Sequence, residues 1–168
     1  MAMAKSSWLF TLSSLLMAAL FGYSSSVQLN DHDWYLWLPL YSCACLVNLC
    51  IWFANSKTVL RSVAKGTLIL AVFLFVKIVI EHVITGKSSV WSLDMSQRIV
   101  REKTGSGLVI CSMILHLEAS SMVSRHSKQT IPRWVSFGMA LLACFSFGIP
   151  FIFFVIQKGE MEFDFINQ

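Results

Sequence analysis

The sequence predicts an all-α fold, a polytopic membrane helix bundle with five transmembrane helices. Hydrophobic residues make up 56% of the chain and charged residues only 13%, about half the charged share of a typical soluble domain. The mean hydropathy is +0.67. Apolar runs close to the roughly 20 residues that a helix needs to cross a bilayer cover residues 8–27, 35–54, 66–84, 106–123 and 134–156. Residues 1–168 are therefore predicted to form a single membrane domain.

The first and fourth apolar runs each have two interpretations. Lys5 and the apolar residues 8–21 resemble a signal peptide, but the run is long and lacks a small-residue cleavage pattern, so we expect a retained helix. The fourth run contains His116 and Glu118. If it does not insert, the protein has four helices and a basic loop of about fifty residues, a length that is uncommon in compact proteins. Five spans are therefore predicted.

The basic residues predict the orientation of an integral membrane protein. If all five runs span, Lys and Arg divide as seven against five, which favours a cytoplasmic N-terminus and a C-terminus on the far side. The first side receives Lys5, Lys57, Arg61, Lys65, Arg125, Lys128 and Arg133, and the second receives Lys87, Arg98, Arg101, Lys103 and Lys158.

Composition and motifs argue against several functional classes. The basic residues lie near the ends of the runs, where contact with lipid headgroups explains them, so the net charge of +4 does not indicate nucleic-acid binding. The five cysteines all fall inside apolar runs, where they are expected to act as small packing residues. We find no nucleophile, metal or nucleotide motif in the sequence. We therefore expect no enzyme activity, no cofactor and no metal ion.

Ionisable residues inside the predicted spans are the first candidate functional residues, because a charge in hydrocarbon costs about 2.5–3.5 kcal/mol. Lys77 and Glu81 are i,i+4 neighbours on the third helix, while Ser112 and His116 share one face of the fourth. Counted from opposite ends of the spans, His116 lies within about one helical turn of the level of Lys77. The candidate intramembrane set is Lys77, Glu81, His82, Ser112, His116 and Glu118.

Two interpretations of this intramembrane set stay open. In the functional one, the residues relay protons or ions, or His116 and His82 bind haem. In the structural one, they form interhelical hydrogen bonds and a charge pair in which Lys77 extends towards the headgroups. Asn48 on the second helix is expected to form a further interhelical hydrogen bond.

The fifth run carries a small-residue face made of Ser136, Ala140, Cys144 and Gly148, which recur every four residues. Such a face lets another helix approach closely, and in lipid close approach is a main source of helix association. The face serves either packing within the bundle or a partner. Besides the lipid bilayer, the partner we expect is another membrane protein or a second copy of the chain.

The connector between the first two runs has the most distinctive local sequence. Asn30 and Asp31 suit a tight turn, and Asp33 is a candidate N-cap for the second helix. Asp31 and Asp33 also have cation-ligand chemistry, but neighbouring residues alone cannot complete a coordination sphere. We therefore interpret this segment as a turn and a cap.

The connector at residues 87–105 is long enough for a short interfacial helix. In that interpretation Val100 lies on lipid while Arg98 and Arg101 face water. Gly105 and Gly107 lack the context of a dinucleotide site and are expected to start the fourth helix.

Two segments of the sequence resemble motifs of the transmembrane protein 220 family. They are residues 28–34 (Gln-Leu-Asn-Asp-His-Asp-Trp) and residues 101–110 (Arg-Glu-Lys-Thr-Gly-Ser-Gly-Leu-Val-Ile). The family pattern between the first two helices is Gln-x-Asn-Asp-Pro-Asp, so His32 stands where the family usually has proline. The resemblance implies a multi-pass membrane protein and supplies no catalytic residue.

The sequence thus favours a structural or partner-binding membrane subunit. The alternative is a small proton- or ion-coupled transporter that uses Lys77, Glu81 and His116. Transporters usually contain internal repeats and broken helices, and five spans offer no obvious pair of halves.

Overall fold

The computed structural model describes residues 8–29, 33–50, 57–85, 98–125 and 131–166, and they are almost entirely helical. The helices are α1 (Trp8–Gln28), α2 (Trp34–Cys50), α3 (Lys57–Thr85), α4 (Arg98–Arg125) and α5 (Arg133–Ile166). The all-α class predicted from the sequence is confirmed for this part of the chain. Each of the five apolar runs corresponds to one helix.

Helices α3, α4 and α5 extend well past the apolar runs that predicted them. For example, α3 begins at Lys57, whereas its apolar run begins at residue 66. Helical hydrogen bonds satisfy the backbone whether a residue faces lipid, headgroups or water, so polarity alone does not end a helix. At the start of α2, Asp33 accepts a backbone hydrogen bond of 3.0 Å from Leu36, and at the start of α5, Pro132 accepts one of 3.2 Å from Val135.

The start of α4 differs from the prediction. The connector was expected to run to Gly105, with Gly105 and Gly107 opening the helix, but α4 begins at Arg98 and passes through both glycines. Val100, expected on the lipid surface, is instead 1% exposed and belongs to the core. The prediction was wrong because glycines were taken as boundary signals, whereas Gly105 makes room for a side chain of α2. Residues 87–97 lie outside the described residues.

The helices pack in a closed ring. Each helix contacts the next one along the chain, and α5 also contacts α1. A further contact between α2 and α4 crosses the ring. Helices α2 and α4 therefore form a central pair. Helices α1 and α5 lie on one side of this pair, and α3 lies on the other.

The core is formed by apolar side chains from all five helices. Tyr41 lies between two aromatic rings of the core, stacked on Phe21 at 6.3 Å and on Trp37 at 6.1 Å between ring centroids. Stacking of this kind adds to the dispersion energy of the buried surface. The largest fully buried side chains are Trp37, Phe10, Phe21, Met17, Leu40, Leu74, Met113 and Met139.

Helices α2 and α4 run parallel to each other, as two contacts show. Tyr41 meets Gly105, and Asn48, seven residues further along α2, meets Ser112, seven residues further along α4. A Cβ atom at residue 105 would lie 3.2 Å from Cζ of Tyr41 and would overlap its hydroxyl oxygen. Tyr41 is 3% exposed and held between its aromatic neighbours, so it cannot easily move aside. The close approach therefore requires glycine at residue 105.

Two helices in the described part of the chain are long and apolar enough to cross a membrane. They are α1, over Trp8–Gln28, and α3, over Thr58–Glu81. Only 33% and 28% of their most apolar windows are buried within the fold, so most residues of these windows are at least partly exposed. Trp34–Cys50 and Arg133–Gly148 are shorter apolar helices.

Replacing Gly105 tests the contact between α2 and α4. We predict that Gly105→Ala lowers the free energy of unfolding by about 1–3 kcal/mol, the usual cost of overpacking. Gly107→Ala is the matched control, because a Cβ atom there meets nothing within 4 Å. The control should leave stability unchanged or raise it by up to ~1 kcal/mol through helix propensity. Unfolding in mixed micelles followed by circular dichroism measures both, and equal stability of the two variants would contradict the contact.

Candidate functional site: a buried polar cluster between two helices

Three polar side chains meet in the interior where α2 faces α4, and we call them the Asn48 cluster. They are Asn48 and Ser112, both 0% exposed, and His116, 3% exposed. Asn48 lies two residues before the end of α2 at Cys50. Ser112 and His116 are four residues apart on α4, so both point towards α2.

The Asn48 amide joins the three side chains. Its Nδ2 donates to the carbonyl oxygen of Ala44 at 2.9 Å and to Ser112 Oγ at 3.1 Å. Its Oδ1 lies 2.8 Å from Nε2 of His116 and 3.4 Å from Ser112 Oγ. Because an amide oxygen only accepts hydrogen bonds, His116 must donate through a protonated Nε2. The interhelical hydrogen bond expected of Asn48 is confirmed, and its partners are Ser112 and His116.

Apolar and intrahelical contacts surround the Asn48 cluster. Phe10 of α1 meets the imidazole of His116 in a T-shaped arrangement, with ring centroids 5.5 Å apart and an interplanar angle of 72°. Ser120 donates to the carbonyl oxygen of His116 at 2.9 Å within α4. The cluster thus links α2 and α4 directly, and its imidazole also fixes the position of α1.

Other buried polar atoms lack such partners. Ser14 Oγ, Trp37 Nε1 and Ser136 Oγ are buried without a hydrogen-bond partner among the described residues. Leaving a buried donor or acceptor unpaired costs about 1–3 kcal/mol. Elsewhere in the interior, Ser13, Thr67 and Ser146 donate to carbonyl oxygens of their own helices, whereas the Asn48 cluster joins three buried side chains of two helices. Among the residues that the structure describes, no three His, Cys, Asp or Glu side chains lie close enough together to hold a metal ion.

The structure does not bring the predicted intramembrane set together. Lys77 and Glu81 are exposed on the outward face of α3, whereas His116 is buried. Both charged residues border a shallow surface groove that is otherwise apolar and is lined by Phe73, Val76, Lys77, Ile80, Glu81 and Ile84. The sequence predicted that Lys77 and His116 lie at a similar depth. Depth along a helix does not determine the direction in which a side chain points, so the two residues can lie at one level without meeting.

The two other members of the set lie apart from the Asn48 cluster as well. Glu118 is partly buried on α4, two residues after His116 and therefore about 200° around the helix. His82 lies in α3, and its side chain lies outside the described residues. Of the predicted set, Ser112 and His116 are thus the pair that the structure joins, and Asn48 joins them.

The small-residue face on α5 runs from the interior to the surface. Ser136 is 2% exposed, Ala140 is partly buried and Cys144 is exposed. A Cβ atom at Gly148 would meet nothing within 4 Å. The close contact of α5 instead involves Gly138, where an added Cβ would lie 3.1 Å from Leu115 of α4.

The predicted turn between α1 and α2 is described only at its end. Asp33 immediately precedes α2, the position of an N-cap residue. Asn30 and Asp31 lie outside the described residues.

Sequence reasoning missed two contacts that shape the site. The first is the contact of Tyr41 with Gly105, because nothing in the sequence separates Tyr41 from the other aromatic residues of its apolar run. The second is the contact of Gly138 with Leu115, because Gly138 lies outside the i+4 series of small residues. A glycine in the middle of a long helix was the available signal, since glycine costs about 1 kcal/mol there relative to alanine and often marks close packing.

The sequence matches a family model described as Transmembrane family 220, helix, over residues 20–118. The match covers more than half of the chain and includes both segments that carry the resemblance, together with the whole Asn48 cluster. The resemblance inferred from those segments is thereby confirmed. No curated protein and no solved structure matches the chain.

Replacing Asn48 tests whether the cluster holds the helices together. We predict that Asn48→Leu lowers the free energy of unfolding by about 1–2 kcal/mol, because His116 and Ser112 lose their interhelical partner. The control is Ser120→Ala, which removes a hydrogen bond within one helix and should change stability by less than about 0.5 kcal/mol. Unfolding of both variants in mixed micelles gives the comparison. An Asn48→Leu variant as stable as the control would show that the cluster does not join the helices.

Proposed function

Because the chain belongs to Transmembrane family 220, we propose that this membrane protein crosses the bilayer five times and serves as a structural or partner-binding subunit. The observation that carries the proposal is the Asn48 cluster. Its polar groups bond to each other inside the protein, while large apolar side chains face outwards. This inside-out polarity suits a bundle surrounded by lipid.

The outward faces of several helices support the membrane-spanning arrangement. Ile69 is 71% exposed, Phe73 64%, Phe137 64% and Leu141 62%. Extensive exposed apolar surface is rare on soluble monomers and marks contact with a membrane or a partner. We infer that lipid covers most of it.

The same arrangement explains how the most polar helix can insert. The polar residues Ser106, Ser112 and His116 of α4 are all buried. Ser106 donates to the carbonyl oxygens of Glu102 and Lys103 at 2.8 and 3.1 Å, so its hydroxyl is satisfied by its own helix. Towards the outside, α4 presents Ile114, which is 45% exposed. We infer that α4 is a fifth span whose polar face is covered by the other helices.

A transporter that uses Lys77, Glu81 and His116 is the alternative function. The buried and hydrogen-bonded His116 is the observation that favours it. A relay would require a path from the outward face of α3 to the interior between α2 and α4. We favour the subunit, because hydrogen bonding of His116 to Asn48 accounts for its burial without a transported ion. We propose that the protein is not an enzyme.

The proposed partner surface is the outer half of the small-residue face. Cys144 is exposed, and the space beside Gly148 is open, so a helix of another protein has access to both. Small residues at a helix interface allow the backbones to approach closely. A second copy of the chain would meet the same requirement.

Topology mapping tests the number of spans. Five spans place the termini on opposite sides of the membrane, with the N-terminus in the cytoplasm as the basic residues favour. We predict that the two tags are accessible from opposite sides of the membrane. A probe on the cytoplasmic side should reach only the N-terminal tag, and a probe on the far side should reach only the C-terminal tag. Termini on the same side would contradict five spans and support four.

Co-purification tests the subunit proposal. We predict that the full-length protein in nanodiscs retains a stoichiometric membrane-protein partner or a second copy, identified by mass spectrometry and native mass. Gly148→Leu should reduce that association at least tenfold without lowering the unfolding midpoint, because a Cβ atom at this position meets nothing within 4 Å in one chain. Phe147→Leu, on a neighbouring exposed position about 100° around α5, is the control. A protein that purifies alone, and whose ion flux depends on His116, would favour the transporter.

A further inference from the structure

Basic residues outnumber acidic residues at one end of the molecule. The sequence has no Asp or Glu in residues 1–30, 34–80 or 119–159. Basic residues in those stretches include Lys57, Arg61 and Lys65, which recur every four residues along the first turns of α3. They therefore have no carboxylate nearby in the sequence to balance their charge.

The fold places the other acid-free segments at the same end. Helix α2 ends at Cys50 and α3 begins at Lys57, with six residues between them, so the end of α2 and the start of α3 lie at the same end of the bundle. Because α2 and α4 run parallel, the end of α4 lies there too, followed by the start of α5 at Arg133. The start of α3 is therefore surrounded by segments whose charged residues are basic, apart from Glu118, which lies seven residues before the end of α4.

Arg61 is the residue that points to a ligand. Its side chain is half-buried at the edge of the packed face of α3. Its Nε atom is buried and has no hydrogen-bond partner among the described residues. A guanidinium donates through Nε and Nη in a planar fork that matches two oxygens of a phosphate or carboxylate. Lys65, one turn further along α3, is exposed beside it.

The depth of Arg61 indicates where the ligand comes from. Arg61 lies five residues, or about 7.5 Å along the helix, before the apolar run that starts at residue 66. The headgroup region extends roughly 5–8 Å beyond the hydrocarbon on each side. Arg61 is therefore at the level of the lipid phosphates, which supply oxyanions at high local concentration.

We propose that the start of α3 binds the headgroup of an anionic phospholipid, with the Arg61 guanidinium paired to its phosphate and Lys65 adding charge. Basic residues at such a position are known to attract acidic headgroups, and pockets between helices hold them specifically. This inference rests on the proposed membrane-spanning arrangement. The bound lipid would fix α3 against the ends of α2 and α4.

Native mass spectrometry of the full-length protein in detergent tests the proposal, with dioleoyl phosphatidylglycerol, dioleoyl phosphatidylcholine and inorganic phosphate as probes. We expect phosphatidylglycerol to bind more tightly than phosphatidylcholine and inorganic phosphate not to compete. Arg61→Gln and Lys65→Gln should each weaken binding of phosphatidylglycerol by about fivefold or more. Arg61→Lys keeps the positive charge but loses the planar pair of guanidinium donors. Its affinity for phosphatidylglycerol should therefore lie between those of wild type and Arg61→Gln.

Controls separate a binding site from general charge. Arg101→Gln removes one exposed basic residue near the start of α4, at the opposite end, and should leave the affinity unchanged. Thermal unfolding in phosphatidylcholine nanodiscs checks that each variant folds, and Lys65→Gln, at an exposed position, keeps the test valid if Arg61→Gln does not fold.

Three outcomes would overturn the proposal. They are equal binding of the two lipids, unchanged affinity in the Arg61 and Lys65 variants, and displacement of the lipid by inorganic phosphate, which would make the site one for free anions. Labelling of single cysteines at residues 57 and 128 checks the underlying topology separately. If these residues lie on opposite sides of the membrane, the proposed arrangement fails. If they lie on the same side and lipid binding does not depend on Arg61, this inference alone fails.

Discussion

Burying a polar group inside an apolar bundle is costly unless the group is hydrogen-bonded, and this constraint organises the centre of the structure. Lipid offers no hydrogen-bond partner, so an amide or imidazole in the interior needs a protein partner on the same or a neighbouring helix. Asn48 meets the requirement by bonding to its own helix through Ala44 and to α4 through Ser112 and His116. The pairing specifies which helices meet and at which level, whereas apolar packing alone allows many alternatives.

The register of α2 and α4 follows from that pairing. Once Asn48 lies opposite Ser112, parallel helices bring Tyr41 opposite Gly105, where the missing Cβ atom gives space to the phenol ring. The ring then stacks on Phe21 and Trp37, which ties α1 to the same level. In the proposed membrane arrangement, this covering of its polar face lets α4 pass through the bilayer despite its composition, while the remaining helices present apolar side chains to lipid.

The sequence was sufficient to predict the five helices and the interhelical hydrogen bond of Asn48. It was not sufficient to predict which residues come together in the site. Length and apolarity determine a membrane helix, because the backbone has few other ways to satisfy its hydrogen bonds. The start of α4 was missed because Gly105 resembles a boundary unless its contact with Tyr41 is known. Lys77 and His116 were expected together because depth can be counted along a chain. The direction of each side chain depends on helix rotation, which packing sets.

Direct coupling between Asn48 and His116 is the interaction on which the centre of the fold depends most. A double-mutant cycle with Asn48→Ala and His116→Ala, measured as free energies of unfolding in a bilayer environment, isolates that coupling from the effects of each substitution alone. We predict a coupling energy of about 0.5–2 kcal/mol, the range observed for hydrogen-bonded pairs between membrane helices. Additive effects of the two substitutions would show that the contact contributes nothing, and the proposed centre of the fold would then be wrong.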